Sequence, residues 1–490
     1  MVLEASLEVN HFRSITQKLR AFYENFGECF CKLLGVTSLV FYFLFIFLSN
    51  NPFGPQSSSL ILKRHPTSCN THNHTPSINT TNLTHIVFGV AGSIKTWRNR
   101  GPYVDLWWRP NRTRGFVWLD RAPDYPWPSS SPPFRISEDI SRFHDYAKHA
   151  MPFAIRMVRV VLESFRADMD NVRWYVMVDD DTVLVLDNLV EVLAKYDHNK
   201  YFYIGGNSEC ISQNTDHSFE MAFGGAAYAM SFPLVKALAR ILDDCLKRYQ
   251  TLYGSDHIIQ SCIAEIGVSL TREPGFHQID LHGDISGLLS AHPQSPFLSL
   301  HHIDFVDPIF PSMDRLQSLK HIMEPASTDS SRLLQQTICY DKRFNWSLSI
   351  SWGYSAQIYE KIHPPSILQR PLQTFWPWKN SARPPFMFNV RPLSRDPCEA
   401  AHFFFFKSVD VASDGRTITN YIRRSARQIP ACDLSGNYSA DGVSTIRVFS
   451  PATKLQGVGR RRECCEVIPS SDANVTEVTV RACMDNELVG

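Results

Sequence analysis

The sequence has 490 residues, of which 44% are hydrophobic, so it can supply the apolar core of one large domain or of two ordinary ones. Its 49 Lys and Arg residues are balanced by 48 Asp and Glu residues, which leaves a formal net charge of +1. The hydrophobic content argues against disorder along the whole chain. The near-zero net charge argues against binding to nucleic acid through an overall positive field.

The first predicted element is an uncharged apolar run, Leu33–Leu48. As a helix it would be about 24 Å long, which is shorter than the roughly 30 Å of an average hydrocarbon core and suits a thin membrane of the early secretory pathway or Golgi. Basic residues precede the run, and none follows it until Lys63. The positive-inside rule then predicts a cytosolic tail at 1–32 and a transmembrane signal anchor at 33–49. A cleaved signal peptide is the alternative.

Two features of the rest of the chain agree with a lumenal location. Ten of the twelve cysteines follow the apolar run, and their spacings match no zinc template, so structural disulfides are the favoured interpretation for most of them. Together with N-x-Ser/Thr acceptor sequences, this predicts a single-pass type II protein of the Golgi membrane with its main domain in the lumen. The acceptor asparagines are Asn73, Asn79, Asn82, Asn111, Asn345, Asn437 and Asn474.

After the anchor, residues 50–85 are rich in Ser, Thr, Asn and Pro, which predicts a lumenal stalk. Over 86–326, short apolar runs alternate with helical stretches such as 140–165 and 234–249. This alternation predicts an α/β domain with a mixed, mostly parallel sheet and flanking helices. Residues 327–490 differ in their scattered prolines and aromatic pairs, and we expect a C-terminal extension with β content there.

The most informative segment is the apolar strand Trp174–Val178, which runs directly into Asp179, Asp180 and Asp181. Three adjacent carboxylates repel one another unless a cation is bound, and hard oxygen ligands suit Mn²⁺ or Mg²⁺, which in turn hold a diphosphate. In an open α/β sheet, ligands bind beyond the carboxyl ends of the strands. A solvated acidic turn before a helix N-terminus is the alternative interpretation.

Three motifs follow one another along the chain: VDDDT at 178–182, FGGAAYAMS at 223–231, and YGSDHIIQSCIAEIGV at 253–268 followed by GFH at 275–277. In their order and spacing they resemble the motifs of the Fringe-related β-1,3-glycosyltransferases of glycosyltransferase family 31, most closely the plant Fringe-like branch. The resemblance covers 86–304, which is less than half of the chain. It implies a nucleotide-sugar-binding (GT-A-like) fold and an inverting, metal-dependent enzyme. Such an enzyme would move a sugar from a UDP-sugar donor to a hydroxyl of a glycan or glycoprotein acceptor, with a β-1,3 linkage.

The resemblance also implies roles for the acidic residues. Asp181, with Asp179 as the next candidate, would bind Mn²⁺ (or Mg²⁺) and through it the diphosphate of the donor. Asp180 is expected to contact the bound donor. Asp256 matches the catalytic base, which takes the proton of the acceptor hydroxyl. Taken alone, Asp256 is equally an ordinary acidic residue at a helix N-terminus.

A third metal ligand is expected from a histidine. His277 stands where the family places a metal-binding imidazole, but His301 and His302 compete for the same role. Gly224 and Gly225 would allow the backbone to approach a bound sugar closely, although paired glycines also mark ordinary turns.

The first strand is followed by aromatic and basic residues that suit a nucleotide. Trp97, Arg98, Arg100 and Trp107 come after it, and Arg98 is expected to contact the donor. A core helix with a basic outer face explains the same pattern.

Departures from the family pattern leave the acceptor open. Ser255 precedes Asp256 where the Fringe-type enzymes have paired acids, and Gln260 replaces the usual glycine. The alternative function is a catalytically inactive lumenal protein that binds carbohydrate or acts as a scaffold. A metal-dependent phosphoesterase is a third hypothesis. Donor sugar and oligomeric state are not predicted.

Overall fold

The computed structural model describes residues 39, 41–42, 80–143, 151–167, 169–433, 435–436, 438–455 and 462–489. The chain divides into two compact units, Met1–Pro76 and Ser77–Gly490. In the first unit the described residues are Leu39, Phe41 and Tyr42, all of them helical. The architecture below is that of the second unit.

The prediction of a transmembrane helix, which was part of the predicted fold class, is wrong. Among the residues that the structure describes, no helix combines the length and the apolar character that crossing a bilayer requires. Most of the apolar run at 33–49, the tail at 1–32 and most of the stalk at 50–85 lie outside the described residues. The fold class is corrected to a mixed α/β fold with a β-rich C-terminal part.

A seven-stranded mixed sheet forms the centre of the first half of the second unit. A further short strand, Val183–Leu184, follows strand Trp174–Asp179 along the chain and belongs to another sheet. Four of the six strand pairings in this sheet are parallel, as the sequence predicts, and one strand pairs antiparallel to both of its neighbours. The strands in chain order are β1 (Ile86–Ala91), β2 (Arg114–Leu119), β3 (Phe134–Ile136), β4 (Trp174–Asp179), β5 (Val183–Leu184), β6 (Tyr203–Gly205), β7 (Tyr228–Ser231) and β8 (Leu270–Arg272). The order across the sheet is β3-β2-β1-β4-β7-β6-β8.

Helices cover both faces of this sheet, and each face has its own apolar core. The expected helix at 234–249 is found, with Pro233 in its first turn. The expected helix at 140–165 begins only at Ala154, and residues 144–150 lie outside the described part. The helices are α1 (Ile94–Asp105), α2 (Ala154–Arg166), α3 (Leu186–Leu193), α4 (Ile211–Asp216), α5 (Phe232–Arg248) and α6 (Ser255–Glu265).

Short elements connect this sheet to the second half. Strand β5, which follows the three aspartates in the chain, pairs with the short strand β11, and β11 pairs with β9. A further short strand, β10, pairs with β15 from the C-terminal extension. The elements are β9 (Phe276–His277), β10 (Leu281–Gly283), β11 (Ser299–Leu300) and β15 (Phe375–Pro377), with helices α7 (Ser286–Leu289), α8 (Arg315–Thr328) and α9 (Pro365–Leu368).

The C-terminal extension is dominated by an eight-stranded, mainly antiparallel sheet, and the two strands expected near 402–411 and 445–449 belong to it. One apolar core runs from Ile279 and Leu300 through Leu348 to Val480, so both halves share it. The strands are β12 (Gln336–Asp341), β13 (Trp346–Ser351), β14 (Ser355–Tyr359), β16 (His402–Val411), β17 (Thr417–Arg423), β18 (Thr445–Ser450), β19 (Cys464–Ile468) and β20 (Val475–Arg481).

Disulfides account for eight of the ten cysteines that follow the apolar run. The Cys339–Cys465 bond joins β12 to β19, the two edge strands of the eight-stranded sheet, so the sheet curls until its edges meet. Cys210 is a buried free thiol, and Cys69 lies outside the described residues. The other bonds are Cys245–Cys262, Cys398–Cys432 and Cys464–Cys483.

A buried carboxyl on α2 makes stability depend on pH. Glu163 is 3% exposed and accepts one hydrogen bond from the Glu138 backbone N–H, while its Oε2 atom has no hydrogen-bond partner among the described residues. Burial raises the pKa of Glu163 from 4.5 to about 7. The folded state therefore holds a proton that the unfolded chain has lost, and stability falls as pH rises from about 4.5 to about 7.

We expect Glu163→Gln to raise the free energy of unfolding by about 2–3 kcal/mol at pH 8, where the wild-type carboxyl is ionised while buried, and to have little effect at pH 4. Thermal denaturation at the two pH values measures the difference. An equal gain at both would contradict the titration of Glu163 as its cause.

Candidate active site

The three aspartates at the end of β4 do not play the same part. Asp180 turns toward α1, where it accepts hydrogen bonds from Thr96 Oγ1 at 2.6 Å and from Arg100 Nη1 at 3.1 Å. Thr96 and Arg100 are four residues apart and so lie on one face of the helix. Asp180 thus fixes the turn to α1, which leaves Asp179 and Asp181 as the pair available to a ligand.

Asp179 and Asp181 form a compact group with His301. The Nε2 atom of His301 lies 3.1 Å from Asp181 Oδ1 and 3.9 Å from Asp179 Oδ2. The register of β5 against β11 explains this arrangement, because Leu300 pairs with Val183 and the next residue, His301, therefore stands beside the aspartates. Asp181 and His301 are buried, whereas Asp179 is partly exposed.

This group fits a divalent cation. Its ligand atoms all lie within 4.8 Å of one another, which is the spacing of a shared metal. Asp181 Oδ1 is buried and lies 3.1 Å from His301 Nε2. A carboxylate oxygen has more than one lone pair, so this contact leaves Asp181 able to bind a cation as well. Two carboxylates and an imidazole are a donor set that suits Mn²⁺.

The surroundings of Asp179 and Asp181 shift the pKa values of the two carboxyls in opposite directions. Burial and the neighbouring charges of Asp181 and Asp256 raise the pKa of Asp179 well above its ordinary value. Burial alone would also raise the pKa of Asp181, but His301 and the Arg100 guanidinium hold it at about 2. Arg100 lies 3.0 Å from Asp181 and so offsets part of the negative charge. A bound cation would relieve the remaining repulsion.

Two consecutive glycines bring Asp256 and His301 to the same place. The backbone N–H of Gly224 donates to Asp256 Oδ2 at 2.8 Å, and Ser255 Oγ donates to its Oδ1 at 3.1 Å. A Cβ atom on Gly224 would overlap the Asp256 carboxylate, and one on Gly225 would overlap the His301 ring. The predicted role of this glycine pair is close approach to a bound sugar, of the donor or of the acceptor. In the structure, the pair makes room for the two functional side chains.

We expect Gly225→Ala to weaken Mn²⁺ binding by about tenfold to a hundredfold, because the new methyl group displaces the His301 imidazole. Isothermal calorimetry with MnCl₂ and UDP measures the change. Gly442→Ala is the matched control, since a Cβ there meets nothing within 4 Å. Equal binding by the two variants would argue against His301 as a ligand.

Two residues predicted for the site lie elsewhere. His277 bonds through Nδ1 to Glu209 at 3.0 Å and through Nε2 to His292 at 2.9 Å, in the wall of a separate cavity of about 700 Å³. It is on β9, one strand further from the aspartates than His301. Arg98 is largely exposed and contacts Asp124 at 3.5 Å.

Arg100 and His301 lie at the candidate site, and the sequence did not single out either of them. The spacing of Arg100 is a sequence signal, because Arg100 and Thr96 are four residues apart and both contact Asp180 from one face of α1. His301 follows a two-residue strand, whose pairing no sequence pattern reveals.

Comparisons with known proteins support the sequence resemblance. Residues 213–465, a little over half of the chain, match the family model described as "Protein of unknown function, DUF604", and residues 82–291 match the model described as Fringe-like. A Beta-1,3-glucosyltransferase of Mus musculus is 25% identical over 151 residues, which cover 28% of this chain and 30% of the relative. The corresponding protein of Homo sapiens is 26% identical over 119 residues, covering 24% and 23%.

The chain thus spans less than a third of the length of these curated relatives. Among solved structures, it is similar to the apo form of mouse Xyloside xylosyltransferase 1, with 7% sequence identity and a TM-score of 0.20, over 41% of this chain and 85% of the other.

Proposed function

Because this chain belongs to the DUF604 family and is related to the Fringe β-1,3-glycosyltransferases, we propose that it transfers a sugar from a UDP-sugar to a hydroxyl of a glycan. The family resemblance of the three motifs is confirmed by the Fringe-like match, while the assignment to the plant branch stays a prediction. The names of the mouse and human relatives make UDP-glucose the first donor to test and a β-1,3 bond the first product to seek.

One observation carries the proposal: an Asp-Asp-His group suited to a metal and a partly buried, oriented carboxylate flank the same two glycines. The metal group is Asp179, Asp181 and His301, and the carboxylate is that of Asp256. A transferase needs both elements at one point, because one charge centre must hold the leaving group while a base activates the acceptor.

Asp179, Asp181 and His301 would hold the metal. When bound, Mn²⁺ or Mg²⁺ would act as a Lewis acid that neutralises charge on the departing diphosphate. Arg100 orients the Asp181 carboxylate from the side opposite to His301 and adds a positive charge near the phosphates. Asp180 keeps α1 in place and so fixes the position of Arg100.

Asp256 is placed to act as the base. Donors on both of its oxygens, the Gly224 N–H and the Ser255 hydroxyl, hold its carboxylate in one orientation. Burial raises the pKa of Asp256, which strengthens it as a proton acceptor. Asp256 would take the proton of the acceptor hydroxyl while that oxygen bonds to the anomeric carbon. The bond from that carbon to the diphosphate breaks on the opposite face, so the configuration inverts.

We also propose that the chain works in the lumen of the secretory pathway, with the Golgi as its compartment. Four disulfides support an oxidising environment. Four of the acceptor asparagines, Asn82, Asn111, Asn345 and Asn474, are exposed, as glycosylation requires. A mobility shift on treatment with a glycan-removing enzyme tests this location.

The decisive experiment is a donor screen on the purified chain. UDP release is measured for a panel of UDP-sugars with MnCl₂, with MgCl₂ and with EDTA, and the glycan products are analysed by mass spectrometry. We expect metal-dependent release that EDTA abolishes. Absence of release with every donor, together with no metal-dependent binding of UDP by calorimetry, would overturn the proposal.

A further inference from the structure

A segment of the C-terminal extension is attached to the catalytic half beside the metal group. Strand β15 pairs antiparallel with β10, with Trp376 opposite His282. The Trp378 backbone N–H then donates to the Asp280 carbonyl at 3.0 Å. These backbone bonds fix Trp376 and Trp378 on the surface of the half that carries the aspartates.

Stacked rings connect this segment to the metal group. Trp378 stacks on His302, with ring centroids 5.0 Å apart and an interplanar angle of 11°. His302 in turn lies against His301, with centroids 3.9 Å apart. His302 is held in place by a hydrogen-bonded contact of its Nδ1 with Asp280 at 3.0 Å. Trp378 is therefore two ring contacts from the imidazole that faces Asp181, and Trp376 is connected to Trp378 through the His282 ring.

Trp376 itself is unusual among the ten tryptophans. It is 54% exposed, and the other nine are buried or only partly exposed. Gly283, at φ +81°, lies directly under the ring, and a Cβ there would overlap it. Phe305, which packs edge-on against Trp378, is also 46% exposed. Two aromatic rings are thus presented to solvent: Phe305, which contacts His302, and Trp376, which contacts His282.

Exposed indole costs free energy in water, so its presence at this place calls for a ligand with an apolar face. A pyranose ring has one, with hydroxyls around its edge. The polar groups beside the rings suit those hydroxyls: the Asp304 carboxylate is partly exposed, and His282 lies next to both tryptophans.

We propose that Trp376 and Phe305 form the subsite that binds the acceptor saccharide, with Trp378 and His302 fixing its position relative to the metal. This assignment deepens the proposed function and rests on it. It gives the C-terminal extension a role, since the extension supplies Trp376 and Trp378 to a reaction centre built by the other half of the unit.

The test compares Trp376→Ala and Trp376→Phe with Tyr201→Ala, a control that removes an aromatic ring of 49% exposure on a residue before β6. We expect Trp376→Ala to raise the KM for the acceptor by about tenfold. Its kcat, Mn²⁺-dependent UDP binding and hydrolysis of the donor without acceptor should stay within about twofold of wild type. Trp376→Phe should restore most of the affinity, because a ring remains.

An unchanged acceptor KM in Trp376→Ala would overturn the subsite, and so would a parallel loss of UDP binding, which would mean a structural role. If no donor is turned over, the proposed transfer fails separately. Binding of the full chain to an array of immobilised oligosaccharides still tests the subsite. Retention by wild type and by Tyr201→Ala but not by Trp376→Ala supports it, and equal retention by all three, or none, refutes it.

Discussion

Asp181→Asn is expected to lower metal-dependent sugar transfer by about a thousandfold or more, while the protein stays folded. The substitution keeps the shape of the side chain but removes the charge that faces His301 at 3.1 Å and Arg100 at 3.0 Å. Loss of one anionic ligand weakens metal binding. It also leaves the positive charge of Arg100 less fully neutralised. A thousandfold loss corresponds to about 4 kcal/mol, which lies within the several kcal/mol that metal stabilisation of a leaving group supplies.

The control for this variant is Asp187→Asn on α3. Asp187 undergoes the same chemical change, but it is half exposed and pairs with Arg109 at the surface, where such pairs contribute about 1 kcal/mol or less. Transfer rates and calorimetry with MnCl₂ and UDP are measured for both variants. Full activity of Asp181→Asn would remove the Asp-Asp-His group from the mechanism.

Asp256→Asn is expected to reduce kcat by about a hundredfold to ten-thousandfold, which is the range that a positioned general base contributes. An amide cannot take the acceptor proton, yet it can still accept the hydrogen bond that Gly224 donates at 2.8 Å. Mn²⁺-dependent binding of UDP should therefore persist. This separation of binding from turnover distinguishes the base from a metal ligand.

Asp244→Asn, an exposed position on α5 paired with Lys247, is the matched control for Asp256→Asn. Single-turnover rates at saturating donor and acceptor give the comparison. An Asp256→Asn enzyme as fast as this control would show that another group accepts the proton.

The sequence predicted the part of the site that depends on continuous segments. An apolar strand that ends in three acids, the glycine pair and Asp256 at a helix start are all local patterns, and the structure brings them together. The mixed, mostly parallel sheet also followed from the alternation of strands and helices. The roles of Asp179, Asp181 and Asp256 stay predictions until the variants are measured.

What the sequence did not yield depends on contacts between distant segments. The choice of His301 over His277 is decided by the pairing of β5 with β11, each only two residues long, which carries no periodic signal. The supply of Trp376 and Trp378 to the reaction centre depends on β15 pairing with β10, almost a hundred residues earlier. The transmembrane helix was predicted from hydropathy alone, and the described residues contain no helix that fits it.

The core that extends from Ile279 to Val480 determines how this protein can be produced. The two family matches, 82–291 and 213–465, overlap, and a cut after either would expose apolar surface that the remaining segment normally covers. Removing β19 and β20 would also break the Cys339–Cys465 bond and open two sheet edges to aggregation. An expression fragment should therefore keep the chain from residue 80 to beyond Cys483, which is bonded to Cys464, and be made in an oxidising host.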